Sequence, residues 1–196
     1  MQGPPTSARI AAHDLACRRG DRVLFRGVSF TLKPGQALQV SGANGIGKSS
    51  LLRLVAGLAR PFAGQVEHGG IIGLIDEQPA LDTEIPLARA LGFWSRLDGS
   101  ACVPLEALGL SDLLDVPVRF LSTGQRKRAA MARLIGQGAA IWLLDEPLNG
   151  LDVHATRLVE ELTASHCARG GIALIASHQP FSFADMKQLA LADYAA

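Results

Sequence analysis

The chain has 196 residues, 48% of them hydrophobic and 19% charged, with a formal net charge of +1 at pH 7. This length suits a single packed domain, and the near-neutral charge argues against a nucleic-acid partner, which favours a basic face. The longest uncharged apolar stretch, 134–144, is too short for direct membrane insertion, and the scattered Cys17, Cys102 and Cys167 predict reduced thiols in a cytosolic compartment.

The first predicted elements are a tail and an antiparallel β ribbon. Residues 1–9 contain Pro4 and Pro5 and no apolar core of signal-peptide length, so we expect a flexible N-terminal tail. Strand patterns follow over 11–17 and 23–32, joined by turn residues at 18–21. We expect this ribbon to lie at the edge of the binding site formed by the glycine-rich loop that follows.

A short apolar strand, a glycine-rich loop and an amphipathic helix come next. The strand is predicted over 37–41 and the helix over 48–58. The loop and the first helical residues are Gly42, Ala43, Asn44, Gly45, Ile46, Gly47, Lys48, Ser49 and Ser50. In a phosphate-binding loop of this spacing, glycines let backbone N–H groups face a triphosphate, the lysine reaches the β- and γ-phosphates and the following serine holds Mg²⁺. An incidental glycine-rich turn is the alternative, and the flanking strand and helix argue against it.

The middle of the chain changes from strands to short helices. Short β elements are predicted over 64–67 and 71–75, the second ending at Asp76, Glu77 and Gln78. Helical stretches are then expected over 87–97, 104–108 and 111–114, interrupted at Gly92, Gly99, Gly109 and Pro117. This pattern predicts a small helical subdomain, about 81–134, inserted into an α/β body within one domain spanning 10–196.

The last third supplies two apolar strands that end on polar residues. Residues 140–144 end on Asp145 and Glu146, and residues 172–176 end just before His178. Parallel strands deliver such side chains to the carboxyl edge of a sheet. Helices are predicted over 125–134 and 154–169. Paired acids in a solvated turn and a structural histidine are the alternatives to a functional site.

Six motifs occur in the order found in ATP-binding cassette ATPases. They are the phosphate-binding loop, Gln78 after a strand, Leu-Ser-Thr-Gly-Gln at 121–125, Asp-Glu-Pro at 145–147, Leu-Asp at 151–152, and His178. The chain resembles this family from about residue 10 to residue 179. The resemblance implies an α/β phosphate-loop ATPase core with an N-terminal antiparallel ribbon and an inserted helical subdomain. It also implies ATP and Mg²⁺ as cofactors.

The resemblance assigns a role to each polar strand end. Asp145, Ser49 and Gln78 would hold Mg²⁺, and Glu146 would act as the general base for the attacking water. His178 would hydrogen-bond the γ-phosphate. The implied catalytic residues are Glu146, His178, Lys48 and Gln78.

A second copy of the chain is implied by the signature motif. Ser122, Gly124 and Gln125 resemble the segment that closes on the γ-phosphate held by the opposite protomer, and Asp152 resembles the residue that crosses this dimer interface. A serine N-cap is compatible with that role. Thr123 stands where glycine is usual, and its branched side chain predicts retained but slower chemistry. We therefore expect a homodimer that sandwiches ATP.

The adenine end of the site departs from the family pattern. Arg19 stands near the place where the family usually stacks an aromatic ring on adenine. A guanidinium plane can also stack on a base, though less selectively. Phe25, in the strand after the turn, lies too far along that strand to be nominated for this contact. The choice between adenine and guanine therefore stays open.

Within the family, the compact size and overall texture resemble the ATPase subunits of bacterial haem exporters that serve cytochrome c maturation. This resemblance implies separate membrane permease subunits as partners and a peripheral position on the cytoplasmic face of the inner membrane. The ATPase of another small exporter, for a peptide, an ion or a drug, is the main alternative. A non-transport ATPase acting on DNA or ribosomes fits less well, because those relatives carry long coiled coils or two cassettes.

Overall fold

The computed structural model describes residues 8–99 and 105–196. Most of the predicted tail, together with Cys102 and Pro104, lies outside the described residues. Arg9, which was predicted to belong to the tail, is instead the first residue of a strand. In the described part, no helix is both long enough and apolar enough to cross a membrane.

The described elements are strands of two sheets, four α-helices and three short 3₁₀ turns. The strands are β1 (Arg9–Arg19), β2 (Arg22–Leu32), β3 (Ala37–Ser41), β4 (Ala63–Gly69), β5 (Ile72–Ile75), β6 (Ile141–Asp145), β7 (Ile172–Ala176) and β8 (Lys187–Ala190). The α-helices are α1 (Lys48–Val55), α2 (Leu87–Asp98), α3 (Thr123–Gly136) and α4 (Val153–Ala168). The 3₁₀ turns are Ser111–Leu113, Val118–Phe120 and Leu191–Tyr194.

The smaller sheet is the predicted antiparallel ribbon with a third strand added. Its order is β2-β1-β4, and both pairings are antiparallel. The strands extend further than predicted, so that only Gly20 and Asp21 form the turn. The N-terminal antiparallel ribbon, which is part of the predicted fold, is confirmed.

The larger sheet is parallel and has the order β5-β6-β7-β3-β8. Every residue of β6 and β7 is buried, as expected for central strands covered on both faces. Because β6, β7 and β3 are neighbours, their carboxyl ends open side by side at one edge. Those ends are Asp145, Ser177 and the glycine-rich loop after Ser41, so the fold brings three predicted motifs together.

Apolar side chains fill both faces of the parallel sheet. One cluster packs α1 and the antiparallel sheet against one face, including Leu51, Leu143 and Leu174. A second packs α3 and α4 against the other face, around Trp142. A third cluster joins α2 to the segment 105–121 and the inner side of α3. Each fully buried leucine contributes about 1.5–3 kcal/mol by leaving water, so these clusters hold the sheet edge in place.

Several predicted boundaries were wrong. α1 ends at Val55 rather than at 58, where the Leu58 N–H donates to Arg53 O at 2.9 Å and closes the helix end. Gly92 does not interrupt α2, because an isolated glycine inside a helix costs only about 1 kcal/mol. Residues 105–109 form turns rather than a helix, and 111–113 is a single 3₁₀ turn.

The strand β8 was missed. It has four residues, of which only Leu189 is buried, so it lacks the apolar run that marks a strand. Its pairing with β3 and the hydrogen bonds from Lys187 Nζ to Thr31 O (3.2 Å) and Gln36 Oε1 (3.0 Å) place it at the sheet edge. These are tertiary contacts, which the local sequence pattern does not reveal.

Gly64 gives a test of the packing between β4 and β1. At its φ of +81°, an added Cβ would lie 2.3 Å from His13 O and 2.4 Å from Asp14 O. We expect Gly64→Ala to lower the free energy of unfolding by about 2–4 kcal/mol, combining about 1 kcal/mol for the left-handed backbone with about 1–3 kcal/mol for overpacking. Chemical denaturation followed by circular dichroism measures the change.

Gly27→Ala is the matched control. Gly27 has a φ of +74° and no atom within 4 Å of an added Cβ, so this variant incurs only the backbone penalty of about 1 kcal/mol. Equal losses in the two variants would contradict the close approach of the two strands at Gly64.

Candidate functional site

The glycine-rich loop joins β3 to α1 and turns sharply at Gly47. This residue has a φ of +117° at the helix N-cap, and an added Cβ would lie 3.1 Å from the Phe25 ring. Only glycine combines that conformation with that approach. The loop backbone and the N-terminus of α1 therefore face one side, the arrangement that binds phosphate groups.

Lys48 lies almost buried at the centre of the site. Its Nζ donates to Gly42 O at 2.8 Å and to Ala43 O at 3.4 Å. The same Nζ lies 3.1 Å from Glu146 Oε1, and both side chains are less than a tenth exposed. The predicted lysine and the predicted base are thus in direct contact.

Glu146 is fixed by its backbone as well as by its side chain. Its N–H donates to Ala176 O at 2.8 Å, and its carbonyl accepts a hydrogen bond from Lys127 Nζ at 2.6 Å. Its φ is +45°, a left-handed conformation that costs a non-glycine residue about 1–3 kcal/mol. Such strain persists where the surroundings over-determine a residue, so Glu146 is held in one position.

His178 is the third residue of a contacting row formed with Lys48 and Glu146. Its Nδ1 lies 2.9 Å from Glu146 Oε2, and the other carboxylate oxygen of Glu146, Oε1, is the one that contacts Lys48. The His178 side chain is about two-fifths exposed. It can therefore orient the buried Glu146 carboxylate while still reaching a ligand.

Asp145 lies beside Ser49 at the end of β6. Burial raises the pKa of Asp145, and a hydrogen bond with Ser49 acts in the opposite direction. Its Oδ1 is buried and has no hydrogen-bond partner in the part of the chain described. A free carboxylate oxygen next to a hydroxyl fits Mg²⁺, which takes one or two carboxylates and completes its shell with phosphates and waters. No cluster of three His, Cys, Asp or Glu side chains able to hold a metal occurs within 8–99 and 105–196.

A cavity of about 330 Å³ opens over the loop, within the usual size range of ligand sites. Its lining residues are Arg19, Leu24, Asn44, Gly45, Gly47, Lys48, Ser49, Ser50, Glu77, Glu146 and Asn149. Of the other loop residues, Gly42 and Ala43 contact Lys48 through their carbonyls, and Ile46 packs against the core. The structure thus gathers Arg19, the loop and Glu146 around one space.

Gln78 does not line this cavity, and Glu77 does. Gln78 is exposed, and its N–H donates to Asp76 Oδ1 at 3.1 Å. It lines a neighbouring cavity of about 530 Å³ together with Thr123 and Lys127. Glu77, Asn149 and Leu24 were not among the predicted site residues. The position of Glu77 two residues after β5 is the one sequence signal that points to it.

The signature residues form a helix cap in the described chain. Ser122 Oγ accepts from Gln125 N at 3.2 Å and Gln125 Oε1 accepts from Ser122 N at 2.8 Å, a reciprocal capping box at the start of α3. Thr123 and Gly124 are the first residues of that helix. Asp152 caps α4 by accepting from Ala155 N at 2.8 Å. Ser122, Gly124, Gln125 and Asp152 do not line the cavity over the loop of their own chain.

The comparisons with known proteins agree with this arrangement. The family model described as ABC transporter matches residues 25–149. A cytochrome c biogenesis ATP-binding export protein CcmA from Novosphingobium aromaticivorans is 57% identical, covering 94% of this chain and 96% of that protein. The proteins of the same name from Zymomonas mobilis and Escherichia coli are 51% and 39% identical, covering 97% and 91% of this chain and 87% and 93% of their own lengths.

Solved structures support the same fold. A Pyrococcus furiosus chain assigned as an ABC transporter ATP-binding protein superposes with a TM-score of 0.81 at 22% identity, covering 96% of this chain and all of that one. An ATP-binding subunit of an ABC transporter gives 0.78 at 22% identity, covering 86% of this chain and 79% of that one. The predicted α/β fold class is confirmed.

Lys48 gives the first test of the site. We expect Lys48→Ala to weaken binding of ATP at least about tenfold, because charge-assisted hydrogen bonds to a phosphate contribute about 1.5–3 kcal/mol. Equilibrium titration with a fluorescent ATP analogue measures the change. Arg60→Ala removes an exposed cation outside the cavity and should leave the affinity unchanged. Equal affinities of the Lys48 variant and the wild type would contradict the assignment of the loop.

Proposed function

This chain belongs to the ABC transporter family, and from that premise we propose that it powers the export of haem for bacterial cytochrome c biogenesis. It is the ATP-hydrolysing subunit of an ABC transporter. The observation that carries the proposal is 57% identity, over nearly the full length of both chains, to a cytochrome c biogenesis ATP-binding export protein. The name of that relative states export and cytochrome c biogenesis. We propose haem as the exported molecule because cytochrome c biogenesis requires it.

The proposed hydrolysis uses three contacting side chains: Lys48, Glu146 and His178. In the structure, the negatively charged partner of Lys48 is Glu146, 3.1 Å away. A triphosphate that enters the loop supplies negative charge to Lys48 in place of Glu146. Glu146 is then free to accept a proton from the attacking water as general base. His178, 2.9 Å from the other carboxylate oxygen, keeps Glu146 oriented. Asp145 and Ser49 would hold Mg²⁺, which when bound neutralises charge on the β- and γ-phosphates.

A second copy of the chain completes the proposed site. Ser122, Gly124 and Asp152 lie at the starts of α3 and α4 and do not line the cavity over their own loop. Helix N-termini attract phosphate, so these ends suit the triphosphate of a facing protomer. Gln78 is proposed to join the site in this closed form, since it lines the adjacent cavity with Thr123.

The proposed assembly places two copies against separate membrane permease subunits on the cytoplasmic face of the bacterial inner membrane. We propose a single domain over 10–196 with the helical subdomain at about 81–134. This division is supported by the separate apolar cluster that joins α2 to 105–121 and α3. Because Arg9 begins β1, the proposed flexible tail is limited to the residues before it.

Glu146→Gln tests the chemical step. We expect this variant to bind ATP but to lose at least about 99% of turnover, because general-base catalysis contributes about 10²–10⁴-fold. Phosphate release, measured with the membrane subunits present, follows the rate. Glu161→Gln, at an exposed position on α4, is the matched control with unchanged turnover. Wild-type rates in the Glu146 variant would remove this residue from the role of base.

A cellular experiment tests the process. In a bacterium whose own gene for this chain is deleted, we expect c-type cytochromes with covalently bound haem to disappear. The wild type and Glu161→Gln should restore them, and Glu146→Gln should not. Haem staining of membrane proteins after denaturing electrophoresis provides the measurement. Normal c-type cytochromes in the deletion strain would point to a different exporter.

A further inference from the structure

The hairpin between β1 and β2 forms one side of the cavity over the loop. Arg19, the last residue of β1, and Leu24, in β2, are the lining residues that it contributes. The remaining lining residues belong to the loop with the start of α1, or to segments that follow β5 and β6. A triphosphate seated on the loop therefore leaves the hairpin side for the uncharged base.

No aromatic side chain among the described residues lines this cavity. Phe25 is fully buried, with its ring packed under Gly47. Tyr194 is partly buried against the first apolar cluster and does not line the cavity. The hairpin therefore offers two side chains to a base: Leu24, which can make an apolar contact with any ring, and the exposed guanidinium of Arg19.

Guanidinium chemistry distinguishes the two purines. Arginine offers five N–H donors in a planar fork and no acceptor. Guanine presents two adjacent acceptors, N7 and O6, which a guanidinium pairs with two parallel hydrogen bonds. Adenine presents N7 beside the amino group N6, which is a donor. Arg19 can therefore donate two hydrogen bonds to guanine, to N7 and O6. It can donate one hydrogen bond to adenine, to N7, because the neighbouring N6 amino group is itself a donor.

We propose that Arg19 recognises the base and that the site takes guanine nucleoside triphosphates at least as well as ATP. This inference rests on the proposed function, because it requires a triphosphate on the loop. The position suits the role: Arg19 is registered opposite Arg22 across the two-residue turn, so its backbone is held by the strand pairing while its side chain stays exposed. Purine nucleoside triphosphates, guanine included, are the substrate class of this site.

The test compares three ligands on the full-length chain. ATP, GTP and inorganic tripolyphosphate compete with a fluorescent nucleotide in the wild type, Arg19→Ala, Arg19→Lys and Arg22→Ala. Arg22 is the matched control, since it is an exposed arginine of the same hairpin that does not line the cavity. Tripolyphosphate separates a contact with the base from a contact with the phosphates.

We expect the wild type to bind GTP at least as tightly as ATP. Arg19→Ala should weaken GTP about tenfold, in the range of a bidentate pair, and ATP by less, while leaving tripolyphosphate unchanged. Arg19→Lys should shift the GTP-to-ATP ratio as Arg19→Ala does, because an ammonium cannot pair both acceptors in a planar fork. Arg22→Ala should leave the ratio unchanged.

Three results would overturn this inference and leave the proposed function intact. The first is a GTP-to-ATP ratio that is the same in the wild type and in Arg19→Ala. The second is an equal loss for all three ligands in Arg19→Ala, which would place Arg19 on the phosphates, and the third is weaker binding of GTP than of ATP by the wild type. Failure of the wild type to bind any of the three ligands would instead overturn the proposed function.

Discussion

The site depends on a buried ion pair between two elements that are far apart in sequence. Lys48 begins α1 and Glu146 follows β6, and their charged atoms lie 3.1 Å apart with both side chains almost out of contact with water. Removing one partner of such a pair leaves an uncompensated charge and costs about 3–5 kcal/mol. A phosphate can replace Glu146 beside Lys48 without leaving the lysine unpaired. The same contact therefore stabilises the empty loop and can be exchanged for a ligand.

Much of this arrangement could be predicted from the sequence because parallel strands leave a strong local signal. The runs ending at Asp145 and at Ser177 are uncharged, continuous and bounded by polar residues, and every residue of β6 and β7 is buried. Once they are recognised as parallel neighbours, their carboxyl ends must meet at one edge. The short exposed strand β8 has no such signal, and the turn geometry after β5 decides that Glu77 rather than Gln78 lines the cavity.

The signature residues show where sequence and structure give different information. Ser122, Gln125 and Asp152 have hydrogen-bond partners within the described chain, as caps of α3 and α4. A capping serine or aspartate stabilises a helix by about 0.5–2 kcal/mol whether or not a partner protomer is present. Their residue types are therefore explained by local structure alone. A role across a dimer interface depends on the direction in which those helix ends face, which only an assembled pair of chains determines.

Glu146 also joins the signature helix to the phosphate loop. Lys127 lies in the second turn of α3, and its Nζ donates to the Glu146 carbonyl at 2.6 Å. Burial lowers the pKa of Lys127, and the nearby carboxylate of Glu146 opposes that shift. Glu146 thus contacts Lys48 through its side chain and α3 through its backbone carbonyl. Its left-handed backbone conformation leaves it little freedom to adjust. Because Glu146 is rigid, a displacement of α3 relative to the sheet must either break the Lys127 bond or move the Glu146 carboxylate against Lys48.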